Sequence, residues 1–592
     1  MPSSRENVLR RFQIWRYKIL SNKNFIYIFS ALIGLLSGLI AVTFRNVTFW
    51  IQKLTEQGIV FSQVSYFILP FIGLLLVYLL VRFVLKRPVK HAIPSILYSL
   101  SKKAGIMDVR RIYMPLITAP LTVGFGGSVG LLGPAVASGS AMSSNLSRLF
   151  RVDAKTRTLL IGCASAAAIS SIFKSPIAAI IFAIEVFSLD LTFASLIPLL
   201  LASVSSVITS YFFMGDDLLF DFDITDKFEI KDTLFFILLG VGTGFASIYF
   251  TKMYFAIVKL FNKLRTPFLR LLVGGAAIGI MLFFIPPLYG EGFGFIRNLL
   301  EGNDLMALGR TPFDAFIENP WVIIGLLFGI TVFKAIAMTT TFAAGGSGGI
   351  FIPTLVMGSA LGNVIAKVIN NLGLGFEVSE ANFTLVGMAG LIAGVLHAPL
   401  TAIFLIAEIS GGYELFIPLM LSCAISFLIT KNTLDHTIYT KELAERGELL
   451  THDKDQAVLT LMNLDDVIET NFIAVSPDLT LGEMLHNAVS KSSRNLFPVV
   501  NAEGDFEGVI LLDHIRDIMF DASLYDTTMV NDLTHDAPAH IHYGEDMKLV
   551  MKKFQDTGAW NLPVLREGKY AGFVSKSKLL TAYRRKLIKF TG

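Results

Sequence analysis

Gly126-Gly-Ser-Val-Gly-Leu-Leu-Gly-Pro134 returns in the second half of the chain as Gly345-Gly-Ser-Gly-Gly-Ile-Phe-Ile-Pro353, and each copy is followed by a Gly-Ser-Ala triplet, at 139–141 and 358–360. A second pair follows in the same order. Ser175-Pro-Ile-Ala-Ala-Ile-Ile-Phe-Ala-Ile-Glu185 corresponds to Ala398-Pro-Leu-Thr-Ala-Ile-Phe-Leu-Ile-Ala-Glu408, at nearly the same offset. Offsets this close mean that one ancestral unit was duplicated. Apolar, duplicated segments broken by glycine are the mark of a membrane transport site built where two repeats meet. The chain therefore reads as a transport protein.

Composition agrees. Of 592 residues, 53% are hydrophobic, 49 are Phe and only 16% are charged, where a soluble chain carries nearer a quarter. Apolar runs recur from about residue 25 to about 431, among them Phe25–Phe44, Tyr66–Leu85, Phe193–Phe213, Thr233–Phe250, Leu271–Ile285 and Val322–Ala337. Several approach the ~20 residues a span needs. Gly- and Pro-rich runs between them predict short or broken helices. The first run is too long for a cleaved signal peptide and is an anchor. Arg5, Arg10, Arg11, Arg16, Lys18 and Lys23 against a single Glu6 place positions 1–24 on the cytoplasmic side. The net charge of +4 points to no nucleic-acid partner. Cys163 and Cys423 sit in apolar stretches and read as small buried residues, not as a disulfide or metal site. No metal-ligand cluster, nucleophile elbow or phosphate loop stands in a polar context, so neither an enzyme nor a cofactor is expected.

In a bilayer, backbone polar groups must be satisfied internally unless they line a cavity or hold a ligand. A glycine-rich turn that opens a helix leaves N–H groups pointing outward, with the positive end of the helix dipole behind them. Two such turns facing each other would make a pocket of backbone donors suited to an anion. Neither nonapeptide contains Lys or Arg; partial charges bind an ion weakly enough to let it leave. Close helix packing alone is the competing explanation for the glycines, but duplication at equal spacing, each copy ending in Pro, favours the site.

After about residue 440 the composition changes. Residues 441–465 read as a polar linker, and short β runs then alternate with amphipathic helices. Asn495-Leu-Phe-Pro-Val-Val500 is echoed by Trp560-Asn-Leu-Pro-Val-Leu565, each followed by a turn and a strand entered through Gly508 or Gly572. This unit resembles the CBS domain, used twice over about 466–522 and 530–590. The ribose-binding Asp that many CBS domains carry is replaced by His514 and Lys578, although Asp513 is adjacent and Ser575 keeps a hydroxyl. A structural or dimer-stabilising module is thus expected ahead of an adenine-nucleotide sensor.

The whole chain from about residue 25 resembles the CLC family of chloride channels and chloride/proton exchangers. The family's G-x-F-x-P stands intact as Gly349-Ile-Phe-Ile-Pro353, flanked by Lys334-Ala-Ile-Ala-Met-Thr-Thr-Thr-Phe-Ala-Ala and Gly387-Met-Ala-Gly-Leu-Ile-Ala-Gly-Val-Leu-His-Ala-Pro399. The family's late pore tyrosine falls on Tyr439. The resemblance implies an all-α polytopic membrane protein with duplicated inverted repeats (about 25–215 and 232–440) and broken half-helices, followed by an α/β cytoplasmic CBS pair. It implies a homodimer with one pathway per subunit, and an anion held by His91, Ile93, Gly133, Ile350, Phe351 and Tyr439, with Gly130, Pro134, Gly349 and Pro353 shaping the turns.

The departures are informative. The family's G-K/R-E-G-P reads Gly130-Leu-Leu-Gly-Pro134, so the gating glutamate is Leu132. The inner proton-transfer glutamate is Val186, while Glu185 before it remains, with a structural role on its helix. Leucine and valine carry no protons. Leu132 can still occlude the path as a hydrophobic plug. The family's G-S-G-I-P reads Lys90-His-Ala-Ile-Pro94, which puts His91 in place of the serine that donates to the anion. Neutral His keeps an N–H donor, and protonated His adds a charge. The expected function is passive, proton-uncoupled conduction of chloride or a similar anion. The alternatives are an exchanger that uses other acids, a carrier of bicarbonate or nitrate, and a non-conducting sensor read through the CBS tail. Compactness suits a prokaryotic inner membrane, with both termini cytoplasmic.

Overall fold

The structure is a computed structural model that describes residues 21–58, 63–86, 92–189, 192–215, 228–309, 311–313, 319–373, 375–446, 458–459 and 462–591. The chain divides into two units between Arg446 and Gly447. Among the described residues, the named elements of the first unit are all helices. Its first half comprises α1 (Asn22–Gly58), α2 (Gln63–Leu79), α3 (Ala92–Lys102) and α4 (Arg110–Gly124). There follow α5 (Leu132–Leu149), α6 (Ala154–Phe173), α7 (Pro176–Phe187) and α8 (Phe193–Met214). The second half begins with α9 (Thr233–Asn262), α10 (Pro267–Phe284), α11 (Phe293–Leu300), α12 (Asp304–Leu308) and α13 (Pro320–Ala343). It closes with α14 (Phe351–Asn371), α15 (Glu380–Leu396), α16 (Pro399–Ile409) and α17 (Phe416–Thr433).

Nine helices among the described residues are long and apolar enough to cross a bilayer. The six apolar runs expected from the sequence all begin in such helices; that of Tyr66 ends in a π-helical turn over Leu80–Leu85. Ser, Gly and Ala recur along α5 and α6 and, more sparsely, along α14 and α15. These side chains face protein, not lipid: α6 and α14 are 78% and 83% buried over their apolar windows, against 28% for Val64–Leu85. Small residues there let backbones approach closely. α7 and α16 have 12 and 11 residues, about half of what a span requires at 1.5 Å per residue. They are the broken half-helices.

The repeat extends to local geometry. α6 and α15 both end on a non-glycine residue in the left-handed region, Lys174 at φ 53° and His397 at φ 54°. Each is followed by a helix that opens with proline, Pro176 or Pro399, whose fixed φ suits the first helical position. α1 crosses α8 at Gly34, where an added Cβ would lie 2.2 Å from Ala202 O, and α9 crosses α17 at Gly240, where it would lie 3.0 Å from Ser422 Cα. An antiparallel bridge joins Gly130 to Gly349, so the halves meet as an inverted pair. The unit is an integral membrane fold with duplicated inverted repeats.

In the second unit β1 (Ile468–Glu469), β2 (Leu496–Val500), β3 (Phe506–Leu511), β4 (Ile541–His542), β5 (Asn561–Arg566) and β6 (Lys569–Ser575) form two sheets. The echoed hexapeptides become β2 and β5. Each pairs antiparallel with the next strand and carries a bulge at the equivalent place, Val499/Val500 and Val564/Leu565. The halves exchange edges: β1 pairs with β6, and Val509 bridges to His535. Two apolar cores result, one around Val475, Phe497, Ile510 and Val530, the other around Val467, Phe554, Val564 and Leu579.

Candidate functional site

The two nonapeptides meet at the centre of the membrane unit and bind each other symmetrically. Ser128 N donates to Thr341 Oγ1 at 3.3 Å, and Ser347 N donates to Thr122 Oγ1 at 3.0 Å. Gly130 N donates to Gly349 O at 3.0 Å, and Gly349 N donates to Gly130 O at 2.7 Å. Every partner has its counterpart at the same offset in the other repeat, so one interaction set is made twice about a pseudo-twofold. The turns tighten through Gly126 at φ 92° and Gly345 at φ 102°, a region in which only glycine is unstrained. The clasp holds the amino ends of α5 and α14 so close that a Cβ on Gly349 would sit 2.8 Å from Gly133 N. Both helix dipoles therefore direct their positive ends to one place.

Beside that contact lies a cavity of about 20 Å³ whose lining includes Ile93, Gly133, Tyr254, Ile350 and Tyr439. A volume near one water-sized probe suits a single small ion or water. Four of the predicted anion residues, Ile93, Gly133, Ile350 and Tyr439, thus come together from four segments. Phe351 stands at the start of α14 as part of the packed wall, its ring 5.7 Å from Phe173 and 6.2 Å from Phe182, and it does not line this cavity. Leu132 opens α5 and is fully buried. Pro134 and Pro353 fall in the first turns of α5 and α14, where missing amide hydrogens cost nothing. His91 lies outside the described residues; its neighbour Ala92 begins α3 and lines the cavity.

A larger cavity of about 370 Å³ adjoins, sharing Ala92, Phe342 and Gly348 with the small one. Among the described residues, Lys103, Arg110 and Arg111 line it against a single acid, Asp108. Clustered positive charge around a concave entrance raises the local anion concentration.

Val186 lies on α7 next to Glu185, and the structure gives that glutamate a definite partner. Its carboxylate accepts from Leu400 N at 3.1 Å, Thr401 N at 2.8 Å and Thr401 Oγ1 at 2.6 Å, at the amino end of α16. Glu408 on α16 returns the interaction, accepting from Ile177 N at 3.1 Å and Ala178 N at 2.9 Å at the amino end of α7. Each half-helix is capped by the other's acid, which satisfies amides that would otherwise be unpaired.

One residue near the gate position was not found from the sequence. Glu291, in the loop between α10 and α11, reaches the start of α5 and accepts from Leu131 N at 2.8 Å. Lys334 on α13 is fully buried, and its Nζ donates to Leu288 O at 3.3 Å and Gly290 O at 3.2 Å, tying down the same loop. The available signal was a single acid in Tyr289-Gly-Glu-Gly292 between apolar runs. An ionisable residue in a membrane segment is a functional candidate by default, but nothing in the linear sequence connects residue 291 to residue 131. Among the described residues no cluster of His, Cys, Asp and Glu is arranged to hold a metal ion.

Residues 73–431 match the family model for voltage-gated chloride channels, and residues 464–521 match that for the CBS domain. The H+/Cl− exchange transporter ClcA of Salmonella arizonae is 25% identical over 468 residues, 76% of this chain and 94% of that one. The voltage-gated ClC-type chloride channel ClcB of Escherichia coli is 25% identical over 348 residues, 58% of this chain and 78% of that one. Among solved structures, a slow cyanobacterial Cl−/H+ antiporter superposes with a TM-score of 0.60 at 20% identity, covering 72% of this chain and 99% of the other. A eukaryotic CLC transporter covers 93% of this chain and 97% of its own, with a TM-score of 0.57 at 16% identity.

Proposed function

The chain belongs to the voltage-gated chloride channel family and carries a C-terminal CBS pair, and from that premise we propose that it conducts anions passively, without moving protons. The observation that carries this reading is the pair Leu132 and Val186: neither the gate position nor the inner proton-transfer position holds a titratable side chain. A proton crossing the membrane needs such groups or an ordered file of water, and an anion needs neither. The anion would rest on the backbone amides at the starts of α5 and α14, between Ile93, Gly133, Ile350 and Tyr439, after entering past Lys103, Arg110 and Arg111. Leu132 would move by rotamer change to admit it. Two subunits would each carry one pathway, and the C-terminal unit would serve assembly rather than nucleotide sensing. A prokaryotic inner membrane with cytoplasmic termini suits the arrangement.

A second reading, proton-coupled exchange, is favoured by the exchange transporter among the relatives and would need an acid other than the two missing ones. The test is efflux of chloride, nitrate and bicarbonate from proteoliposomes under a potassium shunt. Uncoupled conduction predicts efflux with the shunt alone, unchanged by a proton ionophore. Efflux that needs the ionophore would support exchange, and no flux of any anion would leave the sensor reading. His91→Ser should move preference toward chloride; unchanged selectivity would take His91 out of the site.

A further inference from the structure

We propose that Glu291 supplies, from the loop between α10 and α11, the carboxylate that Leu132 does not provide, and so sets the pH at which the amino end of α5 accepts an anion. The inference rests on the anion path proposed above. Leu131 N belongs to the same run of amides that opens α5, immediately before Leu132 and close to Gly133 at the cavity. Glu291 already occupies that amide at 2.8 Å. An ionised carboxylate there cancels part of the positive helix end and repels an anion in the cavity; the neutral acid does neither. The acid thus acts through its charge while its own loop stays in place, because its carbonyl oxygen can accept from Leu131 N in either form, whereas an acid at position 132 would have to swing in and out of the path.

The surroundings suit a titrating group. Glu291 is half-buried and belongs to a loop whose carbonyls at Leu288 and Gly290 are fixed by Lys334 Nζ. Among the described residues, the charged groups acting on it are Lys334 on α13 and Arg45 on α1. Both favour the ionised form, while removal from water favours the neutral one. Such opposed influences set where the group changes charge, so altering either one moves that point. Because Val186 leaves the inner side without a carrier, the proton on Glu291 has no onward route, and the outcome is gating by pH rather than transport of protons.

The experiment is chloride and nitrate binding to the purified full-length protein by titration calorimetry across pH 4.5 to 8.5, with efflux from proteoliposomes measured alongside. Wild-type affinity and flux should rise as pH falls. Glu291→Gln should bind about tenfold more tightly than wild type at the alkaline end and lose its pH dependence. Lys334→Met removes a cation that favours the ionised acid, so its midpoint should move to higher pH. A flat wild-type profile, or a Glu291→Gln profile that follows the wild type, overturns the proposal. If Glu291→Gln does not fold, the direction of the Lys334→Met shift decides, a fixed or lowered midpoint overturning it. Binding is read independently of conduction, so a protein that binds with this pH profile yet carries no flux contradicts the passive-conduction reading and leaves Glu291 in its role. Proton uptake that disappears in Glu291→Gln would make Glu291 a proton carrier and overturn the proposal.

Discussion

Adding one methyl group at Gly349 should disable the site, whereas the same methyl group at Gly325 should not. A Cβ on Gly349 would lie 2.8 Å from Gly133 N, 3.1 Å from Gly133 Cα and 3.4 Å from Gly130 O. All three obstacles are backbone, so no rotamer relieves the overlap and the turns must separate by about 0.7 Å to regain ordinary contact. Overpacking of this kind costs ~1–3 kcal/mol. The separation also strains the reciprocal bonds between Gly130 and Gly349, each contributing ~0.5–1.5 kcal/mol. The total is about 2–6 kcal/mol, a loss of stability that falls on the contact from which the site is built. Gly325 is the control. It lies inside α13 with open space where its Cβ would go, and Ala in a helix interior is favoured over Gly by ~0.5–1 kcal/mol. Efflux per incorporated protein and the melting temperature in detergent would be compared for the two variants. Gly349→Ala with wild-type flux and melting, or Gly325→Ala equally damaged, would refute the claim that the repeats form the site by touching at their glycines.

Glu185→Gln and Glu408→Gln should each destabilise the protein by about 1.5–3 kcal/mol, the range for hydrogen bonds to a charged group. Their melting shifts should be similar because the two caps are equivalent; a much larger effect on one side would contradict the symmetric account. Glu185→Gln should leave proton movement at zero, and any change in it would give Glu185 a transport role. In the Glu291→Gln background, whose flux should not vary with pH, Leu132→Glu should restore flux that rises as pH falls, without uphill proton transport, because Val186 still interrupts the inner route. A variant that pumps protons would show that the missing inner acid is not limiting.

The duplicated nonapeptides made the fold and the centre of the site legible before any coordinates, because a repeat at constant offset is a long-range constraint written in linear sequence. Gly130 and Gly349 could be paired from their spacing, and Ile93, Gly133, Ile350 and Tyr439 do converge. The role of Glu185 was also foreseen in kind, although its partner was not: an acid that caps a helix in the opposite repeat carries no local mark. What was not legible in α6 and α14 is their burial, since a long apolar helix is compatible with facing either lipid or other helices. Glu291 escaped for a different reason. Sequence reading looked for an acid at the gate position, while the fold brings one to that position from another loop. The ring of Phe351 packs on Phe173 and Phe182 while its backbone opens α14, a division between side chain and main chain that a one-dimensional motif does not reveal.

The most direct test of the central claim is to impose a chloride gradient on proteoliposomes in a weakly buffered medium and record external pH. Chloride should move at the rate the potassium shunt permits while pH stays constant, because neither Leu132 nor Val186 can take up a proton. Protons moving against their own gradient in fixed proportion to chloride would contradict passive conduction and establish a route through acids outside those two positions.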